Sequence, residues 1–96
     1  MTVKLVVKEN AVELELVSRV VDMGGRADKV QVMGRRGFFD RLVVLPGGRI
    51  FFVEIKRPWG GRFTEHQREY ARAYTALGAA VAVVKNSADI DRLLKS

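Results

Sequence analysis

The 96-residue sequence predicts a small α/β domain, with a mixed β-sheet flanked by helices in the order αβββαβα. Three observations predict this fold class. They are an amphipathic helical pattern near the start, two apolar β-branched runs around a Pro-Gly-Gly turn, and a capped helix followed by another apolar run. A strand reached through a helix should return parallel to the central strands. Since the sequence has no internal repeats, we expect one domain over residues 1–96.

The first half should contain one helix and three strands. The helix is predicted in ENAVELELVSRVVDMGG, residues 9–25, where Asn10 can act as the cap and two glycines end the pattern. A short strand follows in DKVQVMG, residues 28–34. The two central strands form a hairpin within FFDRLVVLPGGRIFFVEIK, residues 38–56.

The second half should add a loop, two helices and one strand. RPWGGRF, residues 57–63, is predicted as a loop because Pro58 cannot continue a central ladder. The next helix begins after Thr64 as N-cap and ends at Gly78. Its inward stripe comprises Tyr70, Ala71, Tyr74 and Leu77. AAVAVVK, residues 79–85, is predicted as a buried strand, and SADIDRLLKS, residues 87–96, as a short capped helix.

The composition favours a polyanionic partner. Seventeen lysines and arginines against eleven acidic residues give a net charge of +6 and a pI near 10.2, which is typical of nucleic-acid-binding proteins, although a merely solvated basic surface would look the same. Because cysteine is absent, a bound metal would depend on oxygen ligands. No apolar run approaches the roughly 20 residues of a membrane span and no leader precedes the fold, so we expect a cytoplasmic protein.

Two charged residues interrupt the apolar run FFVEIKRP, residues 51–58. On a strand, Glu54 and Lys56 point to the same face. The simplest explanation is an ordinary ion pair at a half-exposed edge. However, a three-residue loop built on a type I turn pairs Leu45 with Arg49 and places Asp40 opposite Glu54, with Cβ atoms about 5 Å apart. A two-residue loop would instead separate the two carboxylates onto opposite faces.

Two adjacent carboxylates need either a shared proton or a cation. A hard divalent ion such as Mg²⁺ suits them, because it takes one or two protein carboxylates and leaves positions for water and a substrate phosphate. Lys56 can then orient the attacking water or offset charge on a phosphoryl group. The single histidine, His66, has no second imidazole or thiol with which to form a zinc site.

Two further polar residues fall on faces that should be apolar. Glu13 interrupts the buried face of the first helix, and Gln67 leads the inward stripe of the second. Each also has an alternative explanation, because Asn10 to Glu13 and Thr64 to Gln67 both have the spacing of a capping box. The two roles do not exclude each other.

In this order, Glu13, Asp40, the triplet Glu54-Ile55-Lys56 and Gln67 resemble the PD-(D/E)xK nuclease superfamily. The sequence is more closely similar to the VRR-Nuc family, which includes small stand-alone phage and bacterial proteins. The resemblance extends over roughly residues 9–90 and includes RGFFDRLVVLPGGRIFFVEIKRP and LGAAVAVVKNSADI. It departs from the family pattern before the aspartate, where a phenylalanine replaces the usual proline.

The resemblance implies a restriction-endonuclease-like core and a metal-dependent, structure-selective DNA endonuclease similar to Holliday junction resolvases. It implies Mg²⁺ or Mn²⁺ as cofactor and the cytoplasm of a bacterium or phage-infected host as location. Asp40, Glu54 and the backbone carbonyl of Ile55 would be the metal ligands, and Lys56 would orient or activate the water.

The same resemblance gives roles to the two remaining polar residues. Glu13 would support the metal directly or through water, and Gln67 would position water or the scissile phosphate. Family members of this type are also expected to act as homodimers. A twofold dimer matches a four-way junction, which presents two scissile strands related by a twofold axis.

Basic groups near the carboxylates are the expected DNA contacts. They are Lys29, Arg35, Arg36, Arg41, Arg57, Arg62 and Arg68. Trp59 can stack on an unpaired base, or it can fold onto the core or lie in a dimer interface. Two other functions stay open. One is a catalytically inactive module that binds branched or single-stranded DNA, and the other is a structural subunit whose ionic cluster only fixes the sheet edge.

Overall fold

The computed structural model describes residues 11–56 and 64–96. Within these ranges the element order is αβββαβα, and the predicted fold class is confirmed. The elements are α1 (Ala11–Asp22), β1 (Arg26–Lys29), β2 (Arg41–Leu45), β3 (Arg49–Ile55), α2 (Glu65–Ala76), β4 (Val81–Val84) and α3 (Ser87–Lys95). The predicted cap Asn10 lies outside the described residues. No helix in the described part of the chain is both long and apolar enough to span a membrane.

The four strands form one mixed sheet in the order β1-β2-β3-β4. The first three strands are antiparallel neighbours, and β4 pairs parallel to β3, with Phe52 opposite Val81 and Ile55 opposite Val84. The predicted parallel return is therefore confirmed. Because β3 and β4 run in the same direction, their carboxyl ends meet at one edge of the sheet.

The central hairpin has the predicted register and a different turn. Leu45 pairs with Arg49, as a three-residue loop requires. The Gly48 N–H donates to the Leu45 carbonyl at 3.2 Å, and Gly47 has φ +88°. A positive φ at this position identifies a type II turn rather than the predicted type I turn. Proline suits the preceding position of both types, and the glycine after it permits the second.

The first strand is shorter than predicted and begins earlier. It covers Arg26–Lys29 instead of residues 28–34. Arg26 pairs with Val44 and Lys29 with Arg41, which is the first residue of β2. A longer β1 would find no partner, because the ladder of β2 ends there. The alternating apolar residues after Lys29 therefore lie in a connection, not in the sheet.

The sheet carries helices on both faces. Leu16 and Val20 of α1 and Ile90 and Leu93 of α3 pack against one face of the sheet, and all four are buried. The sheet residues in this core are Ala27, Val43, Leu45, Val53, Ile55 and Val84. By strand alternation, Phe52 and Glu54 belong to the opposite face, beside α2. The site residues of β3 thus face α2 and not the main core.

Helix α2 lies on the sheet without burying any residue completely. Its predicted N-cap is confirmed, since the Thr64 hydroxyl accepts from the Gln67 N–H at 3.1 Å. Tyr70 and Tyr74 are half-buried as the stripe predicts, but Leu77 is 84% exposed. The prediction for Leu77 is wrong: the helix ends at Ala76, and Leu77 is its exposed C-cap residue. Strand β4 is likewise less buried than predicted, because it forms the edge of the sheet.

Candidate active site

Asp40 is anchored to the end of β3 by its own side chain. Its Oδ2 accepts the Ile55 N–H at 2.8 Å, and its backbone N–H donates to the Val53 carbonyl at 3.0 Å. The regular ladder stops one pair earlier, at Arg41 opposite Val53, so the predicted pair of Asp40 with Glu54 is not a ladder pair. The carboxylate of Asp40 nevertheless lies against the backbone of the residue that follows Glu54.

Glu54 is a buried carboxylate that contacts helix α2. It is 4% exposed, and its Oε2 accepts a hydrogen bond from Nε2 of Gln67. The other end of the same amide completes the helix cap, since Gln67 Oε1 accepts the Thr64 N–H at 2.9 Å. One side chain therefore completes the helix cap and contacts Glu54, and the capping box fixes the position from which Gln67 reaches Glu54.

The oxygen donors at this strand end come from two side chains and one peptide group. In a β-strand, the N–H and C=O of one residue point to the same side. Since the Ile55 N–H points toward Asp40, the Ile55 carbonyl lies on that side as well. Lys56 follows directly, is half-buried, and is fixed by the hydrogen bond of its N–H to the Val84 carbonyl at 2.9 Å.

Glu13 lies on the other face of the sheet and contacts an arginine. Nε of Arg41 donates to its Oε2 at 2.8 Å, and the two side chains are only 14% and 12% exposed. Arg41 also donates to the Ala27 carbonyl at 2.8 Å, which links α1, β1 and β2. Within residues 11–56 and 64–96, no three acidic or histidine side chains converge in a way that would hold a metal ion. Glu13 therefore lies near the site without joining the two carboxylates.

The predicted DNA contacts fall into four groups. Lys29, Arg35 and Arg36 are exposed and line a cavity of about 520 Å³ that also reaches Glu13 and Asp40. Arg68 is exposed on α2. The guanidinium of Arg41 is instead engaged by Glu13 and the Ala27 carbonyl. The remaining three predicted contacts, Arg57, Trp59 and Arg62, lie outside the described residues.

An aromatic cluster supports the segment that leads to Asp40. Phe39 is 2% exposed, and its ring centroid lies 5.4 Å from those of both Phe52 and Tyr74. Phe38 packs edge to face against Tyr70 at 5.0 Å. Phe39, the residue that stands where the family pattern has proline, is therefore a core residue that fixes the backbone before Asp40.

Gly37 permits this segment to pack against the first turn of α2. It has φ +75°, and a Cβ placed on it would lie 2.4 Å from the Cβ of His66 and 3.1 Å from the Gln67 nitrogen. Glycine is thus required twice, once by the backbone conformation and once by the close approach. No sequence pattern predicts this contact, because the two segments are distant along the chain.

Gly37→Ala should lower the free energy of unfolding by about 2–3 kcal/mol, since a left-handed conformation and a steric overlap both oppose the new methyl group. Urea denaturation provides the measurement. Gly34→Ala is the matched control, because Gly34 has a similar φ of +77° but open space around it. It should lose only about 1 kcal/mol, from backbone strain alone. Equal losses in the two variants would contradict the role of the close approach.

The sequence did not reveal the interaction between Arg41 and Glu13. The charge of Arg41 and its position beside Asp40 predict a DNA contact instead. Glu13 itself indicates such a pair, because a carboxylate on the apolar face of α1 requires a cationic partner. Strand alternation would then have placed Arg41, together with the buried Val43, on the face toward α1.

Comparison with known proteins gives two close similarities. The chain is 47% identical over 89 residues to “Putative nuclease p44” of Acyrthosiphon pisum secondary endosymbiont phage 1, with 92% of each chain covered. A solved structure described as “VRR_NUC domain” has a TM-score of 0.79 and 33% identity, and the match covers 88% of this chain and 90% of that one. No family model matches the sequence. Both similarities extend over most of each chain and therefore concern the whole fold.

Proposed function

Since this chain belongs to the VRR-Nuc family, we propose that it is a metal-dependent endonuclease that hydrolyses phosphodiester bonds in DNA. The observation that carries the proposal is the arrangement at the end of β3. Asp40 is bound to the Ile55 N–H, Glu54 is buried and bound by Gln67, and Lys56 follows at once. The net charge of +6 supports a nucleic acid as the substrate, and the similarity to “Putative nuclease p44” supports nuclease activity.

The donor set fits a hard divalent ion such as Mg²⁺ or Mn²⁺. Asp40, Glu54 and the Ile55 carbonyl offer oxygen atoms only, and Mg²⁺ usually takes one or two protein carboxylates. Such an ion, when bound, stabilises charge on the phosphate and lowers the pKa of water. Burial of Glu54 favours this use, because the attraction between a carboxylate and a cation is stronger in a buried site than in water.

The other site residues act through position and charge. Lys56 supplies a positive charge next to the scissile phosphate and orients the attacking water. Gln67 holds Glu54 in place through its amide, while its carbonyl end stays fixed in the helix cap. Glu13 acts indirectly, through water or through Arg41, because its Oε2 contacts that guanidinium.

We further propose that the enzyme prefers branched DNA and cuts it as a homodimer, in the manner of a Holliday junction resolvase. The twofold axis of a dimer matches the two scissile strands of a four-way junction. Exposed Lys29, Arg35 and Arg36 beside Asp40 would contact the phosphates. The phage relative is consistent with action in a bacterium or a phage-infected host.

The test is cleavage of labelled four-way junction, flap, duplex and single-stranded DNA by wild type and Asp40→Asn, each with Mg²⁺, Mn²⁺ or EDTA. An asparagine oxygen can still accept the Ile55 N–H, so the variant should keep its fold and lose a metal ligand. We expect cutting in Mg²⁺ or Mn²⁺ only, and a rate reduced by at least about 100-fold in the variant.

Asp28→Asn is the matched control, because Asp28 is an exposed aspartate of β1 whose partner is the exposed Arg26. It should cut DNA at the wild-type rate. If junctions are bound in every metal but never cut, the protein is a DNA-binding module without nuclease activity. If wild type neither binds nor cuts any of the four DNA structures, both the endonuclease function and the DNA-binding function are excluded.

A further inference from the structure

A second cavity opens beside the candidate active site. It has a volume of about 690 Å³ and lies between helix α2 and the segment 34–36. Its lining residues belong to this segment and to the part of α2 from His66 to Tyr74. The volume is in the range of ordinary small-ligand sites. Nothing in the proposed hydrolysis uses this cavity.

The cavity has aromatic side chains in its wall. Tyr70 and Tyr74 are half-buried, and both pack edge to face on Phe38, with ring centroids 5.0 Å and 5.7 Å away. Tyr74 also packs against Phe52 at 5.0 Å. These contacts hold the two rings in place from behind, so the part of each ring that lines the cavity is a fixed apolar surface.

The rim of the cavity is polar and leads toward Asp40. Arg35, Arg36, His66 and Glu69 are exposed around it. Arg35 and Arg36 also line the neighbouring cavity that contains Asp40. The two arginines therefore separate the carboxylate site from the aromatic cavity and belong to both. A DNA strand whose phosphates contact these arginines would have one base within reach of the aromatic cavity.

We propose that this cavity binds one unpaired nucleobase of the DNA strand that occupies the active site. The inference rests on the proposed nuclease function and adds a requirement for unpaired DNA. Aromatic rings bind bases through their faces with little sequence preference, whereas a base within a duplex is already stacked on both sides. Glu69 and His66 at the rim can hydrogen-bond to a base edge, and the arginines can bind the flanking phosphates.

Ala73→Leu tests the cavity without touching the carboxylates. Ala73 is an exposed residue of α2 that lines the cavity, and leucine is a good helix former that would fill part of the space. Ala76→Leu is the matched control. Ala76 is also exposed on α2, but it does not line the cavity. Circular dichroism and thermal denaturation would verify that both variants fold like wild type.

The measurement is binding of two fluorescently labelled 20-nucleotide strands in EDTA, which prevents cutting. One strand is oligothymidine, and the other has the same phosphates but an abasic sugar at every position. We expect wild type and Ala76→Leu to bind oligothymidine about 10-fold more tightly than the abasic strand, as loss of one stacking contact implies. Ala73→Leu should bind both strands equally, with an unchanged salt dependence, since its phosphate contacts remain.

Several outcomes would overturn the inference. Equal binding of the two strands by wild type would do so while leaving DNA binding and cleavage intact, and this comparison requires no variant. A preference for thymidine that survives in Ala73→Leu would place the base elsewhere. If wild type binds neither strand and also fails to bind and cut the four-way junction, the proposed function is overturned as well.

Discussion

Lys56→Met should reduce the rate of DNA cleavage by about 10²- to 10³-fold, the range found when one fixed group that stabilises developing charge is removed. Lys56 lies directly after Glu54 and Ile55, and its backbone is hydrogen-bonded to β4. Methionine has a similar length and no charge, so the change removes the ammonium group with little loss of packing. Binding of Mn²⁺ and of DNA should persist, because the carboxylates and the exposed arginines remain.

The control for this prediction is another lysine at the same edge of the sheet. Lys85 follows β4 as Lys56 follows β3, and it is exposed. Lys85→Met removes the same charge from the protein and should cut at the wild-type rate. Single-turnover cleavage of the preferred DNA structure at saturating protein is the suitable assay, since it separates the chemical step from binding. Equal rates for Lys56→Met and wild type would exclude Lys56 from the reaction.

Local turn chemistry explains why the central part of the fold could be predicted. A proline followed by two glycines restricts the loop to a few conformations, and the loop length then sets the pairing of Leu45 with Arg49. The type of turn could not be decided in the same way, because Pro46 suits two types and Gly47 permits both. The register was thus more predictable than the conformation that produces it.

The extent of the first strand depended on a distant part of the chain. Alternating apolar residues after Lys29 look like a strand, but β1 can extend only as far as β2 provides a partner. The sequence pattern is local, while the boundary of this strand is set by tertiary pairing. The end of α2 was predictable because Gly78, with φ +94°, is a local stop signal, whereas the exposure of Leu77 was not.

The candidate site depends on both faces of the sheet. Glu54 and Gln67 meet on the face of α2, whereas Glu13 and Arg41 meet on the face of α1. Asp40 lies between them, at the residue where β2 is about to begin. Movement of α1 relative to β2 would therefore displace the backbone that positions Asp40. This arrangement gives Arg41 a structural role close to the site, and its contact with DNA stays a prediction.

Arg41→Met should lower the free energy of unfolding by about 2–4 kcal/mol, somewhat below the usual cost of leaving a buried ion pair without one partner. The loss has two causes. The Glu13 carboxylate, only 12% exposed, would lose the guanidinium, and the Ala27 carbonyl would lose a hydrogen bond. Urea denaturation measures the change, with Arg26→Met as control. Arg26 pairs with Asp28 on the surface, where the side chains are 78% and 55% exposed, so its loss should be below about 1 kcal/mol.

The double variant Glu13→Leu/Arg41→Met distinguishes an unpaired charge from lost packing. Apolar side chains of similar size often replace a buried ion pair with little cost. If the uncompensated carboxylate causes the instability of Arg41→Met, the double variant should recover at least about half of the loss. A double variant that is less stable than Arg41→Met would contradict this explanation. Comparison of DNA cleavage by the double variant and by Arg41→Met then reports on Glu13. A double variant that is more stable than Arg41→Met but cuts more slowly would show that the carboxylate contributes to catalysis beyond its pairing with Arg41.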